Sequence, residues 1–516
     1  MSEEKKVQEA VAFSLTAGYQ LERDAFDFLS LVAKTEDPLR LVEVTLERLE
    51  QRGNKPLFIS RTVLEESAKE AYPESREIGD LSPLFTTELE KTGKVRESFY
   101  PHAQDIAKDV EVIEDPTEQT RSTGSVDDYL GYFQDRFRRL TRLLRQRMDS
   151  RSAGTLRDAF RASAGSKIKV ICMVTEKRES KYGTALRVED TEDCATVLLP
   201  RSGSAELLGK AKTLLLDQVV CLGLSKTKKN LLIVNELFFP DIPQNKPQKA
   251  KERVYAALIS DLHVGSREFM REEFTRFVLW LNGKYGDERL REAASLVKYV
   301  VIAGDLVDGV GVYPNQVKDL VIRDVFKQYR MAARCIEQIP DYIEVVVIPG
   351  NHDATRKALP QPAIPKAYAE PLHEARPVWS LGNPATVRLH GVELLIYHGR
   401  SLDDVLATAA DMDFHSPERA MRVLLQSRHL APTYGQRTSI APEQRDFLVI
   451  ERVPAIFHAG HVHVMKCEAY RGTLMVNSGA WQRQTSYQRN LGLEPTPGIF
   501  PVVDLQSLAV LPVELT

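Results

Sequence analysis

The 516-residue sequence contains only five cysteines, and no two form a Cys-x-x-Cys pair. This scarcity argues against a disulfide framework and against a thiolate-built structural zinc site, and it points to a reducing, cytosolic setting. Long apolar runs are missing as well. No stretch of about 18 apolar residues occurs, and the opening MSEEKKVQEAVAF lacks the apolar core of a signal peptide, so no membrane partner is expected. Charge of one sign is also absent. A formal net charge of -3 supplies no global attraction for nucleic acid, so any such contact must come from local basic patches. Internal repeats and low-complexity tracts do not appear.

The remaining composition, 43% hydrophobic and 27% charged, is that of an ordinary globular protein, and the length predicts about two to four domains. Residues 1–75 read as short amphipathic helices; PLRLVEVTLERLEQRG starts with Pro38 after Asp37 and stops at Gly53. Residues 76–124 are polar and mixed in charge and read as a flexible linker. Residues 125–165 open on an Arg-rich helix. Its apolar stripe is Leu130, Phe133, Phe137, Leu140 and Leu144, and Arg136, Arg138, Arg139, Arg142, Arg145 and Arg147 cover the rest. That face reads either as solvated or as a contact for phosphates.

Residues 166–243 change to five strand-like runs with a helical segment between the third and fourth, which fits an OB-type β-barrel. Such barrels hold single-stranded nucleic acid on aromatic platforms, but Tyr182, Phe238 and Phe239 are the few aromatics on offer. A structural or subunit-docking barrel is therefore favoured. The Pro- and Lys-rich PDIPQNKPQKAKE follows as a hinge.

From residue 253 apolar strands alternate with helices, the signature of a layered α/β domain. Five of these strands run into polar residues: ISDLHVG (Asp261, His263), AGDLVDG (Asp305, Asp308), VVVIPGNHD (Asn351, His352, Asp353), YHGRSLDD (His398) and FHAGHVH (His458, His461, His463). Carboxyl ends of strands are where such folds gather their sites. Ten of the eleven histidines lie beyond residue 250, and six of those ten fall in these motifs. Taken singly, each would be read as a core or surface residue; five motifs in order read as a metal centre. In Asp-x-His, residues i and i+2 of an extended segment share a face, and Gly304 permits close approach before Asp305, whose carboxylate can bridge two cations. Imidazoles, carboxylates and an Asn oxygen without thiolates suit Mn, Fe or Zn better than Mg.

The series D-x-H, G-D-x-x-D, G-N-H-D, H-G and G-H-x-H resembles the calcineurin-like metallophosphoesterase superfamily over residues 253–516. GNHDATRKALPQP, YHGRSLDD, LLQSRHLAPTYG and HAGHVH, with the barrel upstream, narrow this to a resemblance to the small subunits of archaeal family D DNA polymerases. The resemblance implies an α/β/β/α phosphoesterase domain with two divalent metals, Mn being favoured. Asp261, His263, Asp305 and His463 would hold the first, and Asp305, Asn351, His398 and His461 the second, with His352 as catalytic acid. Asp308, Asp353, Asp403, Asp404 and His458 would orient ligands. It also implies a 3'-to-5' exonuclease acting on single-stranded or mismatched DNA 3' ends, proofreading for a large catalytic subunit that uses Mg. The sliding clamp and other replication factors are further expected partners, the setting being the cytoplasm and nucleoid of an archaeal cell. A free-standing phosphodiesterase and a non-catalytic scaffold subunit are the alternatives.

Overall fold

The computed structural model describes residues 3–17, 19–21, 23–33, 37–51, 58–72, 99–410, 412–490 and 492–515. The chain divides into two compact units, Met1–Ser98 and Phe99–Thr516. In the first, helices Glu3–Thr16, Arg23–Val32, Pro38–Gln51 and Arg61–Ala71 close over Phe28, Leu29, Val42 and Leu64, and strands β1 (Gln20–Leu21) and β2 (Phe58–Ile59) pair in parallel.

The second unit begins inside the segment expected to be a linker. Residues 76–98 of that segment lie outside the described residues, but strand β3 (Val110–Glu114) pairs antiparallel with Ala385–Leu389. The linker reading is corrected for residues 99–124. The charges that suggested solvation have partners: Glu111 pairs across the strands with Arg388 and Glu114 with Arg445 of a loop, while Val110 packs on the core.

The Arg-rich helix also departs from both readings of its face. Spanning Val126–Arg145 after a capping box of Ser125 and Asp128, it buries Arg136 and Arg139 and leaves Leu130 exposed. Arg136 donates to Asp446 Oδ2 and the Pro432 carbonyl, both at 2.9 Å, and to the Tyr132 hydroxyl at 2.7 Å. These arginines fasten the helix to the C-terminal part of the unit. Removing one member of a buried pair leaves an uncompensated charge. Arg136→Met should therefore destabilise the unit by about 3–5 kcal/mol. Arg138→Ala, whose side chain is 78% exposed, should change little. Equal unfolding midpoints for these two variants would contradict the assignment.

Strands β4 (Lys167–Ser180), β5 (Gly183–Glu189), β6 (Cys194–Pro200), β7 (Val219–Lys226) and β8 (Leu232–Phe238) form a closed barrel in the order β4-β5-β6-β8-β7. The helix Ala205–Lys212 lies between the third and fourth strands. The barrel is filled by Val170, Val174, Leu186, Val197, Leu222 and Val234.

Two six-stranded sheets make the rest. In the first, β9 (Tyr255–Ile259), β10 (Val297–Ala303), β11 (Glu344–Ile348) and β12 (Trp379–Ser380) run parallel. The second is built from β3, β13 (Ala385–Leu389), β14 (Val392–Tyr397), β15 (Ile456–Ala459), β16 (Lys466–Tyr470) and β17 (Thr473–Asn477). Finally, β18 (Ile499–Asp504) and β19 (Val510–Glu514) extend the first sheet beside β9.

Strand β10 explains the layering. All seven of its residues are buried; Val300 and Ile302 face the helices Arg271–Leu281 and Val325–Glu337, while Tyr299, Val301 and Ala303 face Val387, Ile396 and Val476 of the other sheet. A strand covered on both faces must be apolar throughout, as VKYVVIA nearly is. The helices Leu402–Thr408 and Pro417–Ser427 cover the far face of the second sheet, giving helix, sheet, sheet, helix. The parallel strands β9, β10, β11, β14 and β15 therefore bring their carboxyl ends to one edge of the sandwich.

Candidate metal centre

At that edge the backbone turns sharply after each strand. Asp261, His263, Asp305, His461 and His463 all have positive φ, between 52° and 69°. For non-glycine residues this conformation is uncommon and costs of order 1–3 kcal/mol each, and such strain concentrates where side chains must be aimed. Asp261 and His263 therefore converge by successive left-handed turns, not by sharing one face of an extended segment as their spacing suggested. The glycines between motifs supply the clearance: a Cβ on Gly304 would lie 2.6 Å from His398 Nδ1, and one on Gly350 2.2 Å from Asp305 Oδ1.

Ligand-type atoms gather in three adjoining groups, one of them made by His263, Asp308 and His352 and the other two by the expected metal ligands. Asp261, His263 and His463 bring their donor atoms within 4.8 Å of one another, and so do Asp305, His398 and His461. In the first group His263 Nε2 stands 3.2 Å from His463 Nε2, which in turn lies 3.4 Å from Asp261 Oδ1. In the second, His398 Nε2 is 3.3 Å from Asp305 Oδ2 and 3.0 Å from Asn351 Oδ1. Asp305 Oδ2 also lies 3.8 Å from His263 Nε2, so this carboxylate touches both groups.

The donor set fits divalent cations. Asp261 Oδ1 is buried and accepts no hydrogen bond, although a carboxylate oxygen so placed ordinarily needs a partner. Around the edge, neighbours fix the rings: His263 Nδ1 is 3.0 Å from Asp308 Oδ1, and His398 Nδ1–H donates to the Ala303 carbonyl at 2.9 Å. Both arrangements leave Nε2 turned inward. Asp353 accepts from the Gly350 amide at 2.8 Å and from the Tyr329 hydroxyl at 3.0 Å, tying the turn that carries Asn351 and His352 to the core. Asp403 Oδ2 faces His461 Nε2 at 3.2 Å, Asp404 accepts from the amides of Arg437 and Thr438, and His458 Nε2 lies 3.0 Å from Ser478 Oγ.

Electrostatics follow from the buried carboxylates. Burial opposes charge on Asp305, but His398 and His352 outweigh it and hold its carboxyl well below the usual range; His463 does the same for Asp261. Burial likewise opposes charge on His263 and His398. In His263 the Asp308 hydrogen bond and Asp305 outweigh it, and in His398 Asp305 does, raising each imidazole to about 9. Both rings are thus protonated at pH 7 in the metal-free site, whereas ligation requires neutral imidazole. Metal binding at pH 7 should release a proton from each and strengthen as pH rises toward 9. Titration calorimetry in buffers of different ionisation enthalpy would show this as a buffer-dependent heat, and a buffer-independent heat would contradict it.

His352 differs. Burial, against the pull of Asp305 and Asp308, holds it down to about 4, so it is neutral. Its Nδ1–H donates to the Asp308 carbonyl at 2.8 Å, which leaves Nε2 without a proton. Its amide donates to Asp305 Oδ1 at 2.7 Å.

Two cations at the edge had not been singled out in the sequence. Arg400 Nη1 lies 3.2 Å from His461 Nε2 and 2.5 Å from Asp403 Oδ2, and Lys357 donates to the Asn351 carbonyl at 2.5 Å. Each stands within six residues of a recognised motif, yet a lone Arg or Lys in a loop carries no spacing signal.

Among the described residues no helix is long and apolar enough to cross a membrane. The family model for the B subunits of DNA polymerases alpha and epsilon matches residues 256–466. The DNA polymerase II small subunit of Archaeoglobus fulgidus is 38% identical over 487 residues, 94% of this chain and 93% of that protein. That of Methanocaldococcus jannaschii is 39% identical over 420 residues, 80% of this chain and 70% of its own length. The Pyrococcus abyssi protein of the same description is 41% identical over 390 residues, 75% of this chain but only 63% of the relative. With 38% identity over nearly the whole length of both this chain and the Archaeoglobus fulgidus protein, the chain belongs to the family of archaeal DNA polymerase II small subunits.

Proposed function

We propose that this chain is the proofreading subunit of a two-subunit replicative DNA polymerase, a 3'-to-5' exonuclease whose partner is the large catalytic subunit. The observation that carries the reading is the pair of buried donor groups sharing Asp305, with Asp261 Oδ1 left without a hydrogen bond. A scaffold needs no such site, because strained backbone and a cluster of buried charged groups lower stability unless function requires them.

Asp261, His263, Asp305 and His463 would hold one divalent ion and Asp305, Asn351, His398 and His461 the other, Mn being the favoured metal. When bound, such a pair supplies Lewis-acid polarisation of a phosphodiester and activation of water. The chain's own residues do the rest. Arg400 and Lys357 place positive charge at the rim, where a scissile phosphate would enter. The Asp308 carbonyl fixes the His352 tautomer, so Nε2 faces the site. An arriving phosphate adds negative charge beside that ring and favours its protonated form, from which Nε2 can donate to the departing 3'-oxygen. The products are a 5'-mononucleotide and an extendable 3'-hydroxyl.

The strand order and the inserted helix support an OB-type barrel. It meets the helix Pro417–Ser427, which covers the second sheet, through Gln218, whose amide donates to Ser427 Oγ at 2.6 Å. At that junction lies a cleft of about 620 Å³, lined by Lys210, Phe238, Arg419, Arg422 and Tyr470 among others. Cations occupy the aromatic faces there, Lys169 and Lys210 over Phe238 and Arg422 over Tyr470, which leaves little room for stacked bases. This supports subunit docking at the barrel and adjoining sheet. Co-purification from native extract, followed by a nuclease assay with chelator and Mn add-back, tests partner and chemistry together. A preparation in which the large subunit is present and chelator-sensitive cleavage is absent would favour the scaffold.

A further inference from the structure

The turn that carries Asn351 and the strand end that carries His398 are joined by two buried amides, Gln361 and Asn383. Gln361 Nε2 donates to the Gly350 carbonyl at 3.0 Å and to the Arg356 carbonyl at 2.9 Å, at the two ends of the loop that bears Asn351, His352 and Asp353. Its Oε1 accepts from Asn383 Nδ2 at 2.7 Å, and Asn383 Oδ1 accepts from the His398 amide at 3.1 Å. The backbones of the two residues exchange a further pair of hydrogen bonds, both at 2.8 Å, in an isolated antiparallel bridge. A continuous chain of bonds thus runs from Gly350 to His398. Just beyond its two ends Asn351 Oδ1 and His398 Nε2 lie 3.0 Å apart. Among the described residues neither amide side chain bonds to Asp261, His263 or His463. The segment that follows β3 backs the chain from outside: Asp115 Oδ1 accepts the Gly382 amide at 2.9 Å, and Thr117 Oγ1 accepts the Ala363 amide at 3.1 Å.

We infer that Gln361 and Asn383 are positioning residues that clamp Asn351 and His398 together for one cation, so that breaking the clamp empties the position shared with Asp305 and His461 and spares that of Asp261, His263 and His463. The inference rests on the two-metal reading and adds how one of its positions is held. Buried amides need hydrogen-bond partners, but stability alone does not dictate which ones. Here three of the side-chain bonds go to the two turns that carry the donors. The fit has no slack, because a Cβ on Gly350 would lie 2.2 Å from Asp305 Oδ1 and 2.7 Å from His398 Cε1. A released turn can therefore only drift away from the donor group. As neutral groups, the amides fix the turns without adding charge beside the cations.

The test uses the full chain, stripped with chelator and titrated with Mn. It reads the number of ions bound and the electron paramagnetic resonance spectrum, in which two ions bridged by one carboxylate are exchange-coupled and a single ion is not. The wild-type chain should take up two coupled ions. Gln361→Met should keep one ion near wild-type affinity and bind the other about 10- to 100-fold more weakly, the usual cost of losing a partner that orients a ligand, and its spectrum should become that of an isolated ion. The loss should vanish in a His398→Ala background and add to that of His263→Ala, leaving neither ion. Asp115→Ala, which loosens the clamp from outside, should shift the same ion by less, and it decides the matter if Gln361→Met does not fold. Unchanged binding, or equal weakening of both ions, overturns the inference in either variant. Cleavage is not the readout, because His352 rides on the same turn. A wild-type chain that binds one ion or none would refute the two-metal reading and the clamp with it, whereas two coupled ions without nuclease activity would refute the exonuclease reading alone.

Discussion

Asp305→Ala should reduce metal-dependent hydrolysis to background while the second compact unit stays folded. One oxygen of this carboxylate reaches toward both donor groups, 3.8 Å from His263 Nε2 and 3.3 Å from His398 Nε2, and the other accepts the His352 amide at 2.7 Å. No other described side chain at the edge touches the two groups and the His352 turn together. Its loss should therefore lower the content of both metals and free the turn that carries Asn351. Folding should survive because Asp305 lies at the sheet edge, outside the apolar cores, and His263 and His398, whose protonation it favours, can shed their protons when it is gone. Elemental analysis, circular dichroism and a Mn-dependent nuclease assay check the three parts. Near-normal cleavage by the variant would sink the two-metal assignment.

The donor residues were legible because their signal is local. Each motif follows an apolar run that must be a buried strand, and a polar residue directly after such a strand has little structural reason to be there. The path by which the donor side chains converge was not legible. Spacing suggests an extended Asp-x-His with a common face, whereas Asp261 and His263 each adopt left-handed backbone, and Asp261 lies against Gly304 and Gly460, which are distant in sequence.

Residues 99–124 and the Arg-rich helix show a second limit. Charged residues look solvated until their partners are known, and Glu111, Glu114 and Arg136 find theirs at Arg388, Arg445 and Asp446, about 275 to 330 positions away. A one-dimensional reading assigns such residues to the surface by default. The strand was nevertheless present as Val110, Val112 and Ile113 in an otherwise polar stretch, too short a run to outweigh its charged neighbours. Arg400 and Lys357 were illegible for another reason: their role depends only on where a loop ends in space.

His352→Ala should keep its metals and lose about 10²- to 10⁴-fold in rate, the usual worth of a general acid, whereas His461→Ala should lose metal as well. The two rings are oriented differently. His461 Nε2 belongs to the donor group with Asp305 and His398 and faces Asp403 at 3.2 Å. His352 shares a third group with His263 and Asp308, but His263 already directs Nε2 toward His463, and Asp308 spends its side chain on His263 Nδ1 and Gln316. With its own Nδ1–H given to a backbone carbonyl, His352 is left with Nε2 as its one free atom, and its two neighbours His263 and Asp308 are already bonded to each other. That placement suits the proposed proton donor. His352→Gln offers a neutral side chain of similar reach, so a loss of rate as large as in His352→Ala would separate proton transfer from packing. If elemental analysis instead found His352→Ala depleted of metal and His461→Ala replete, the two roles would have to be exchanged.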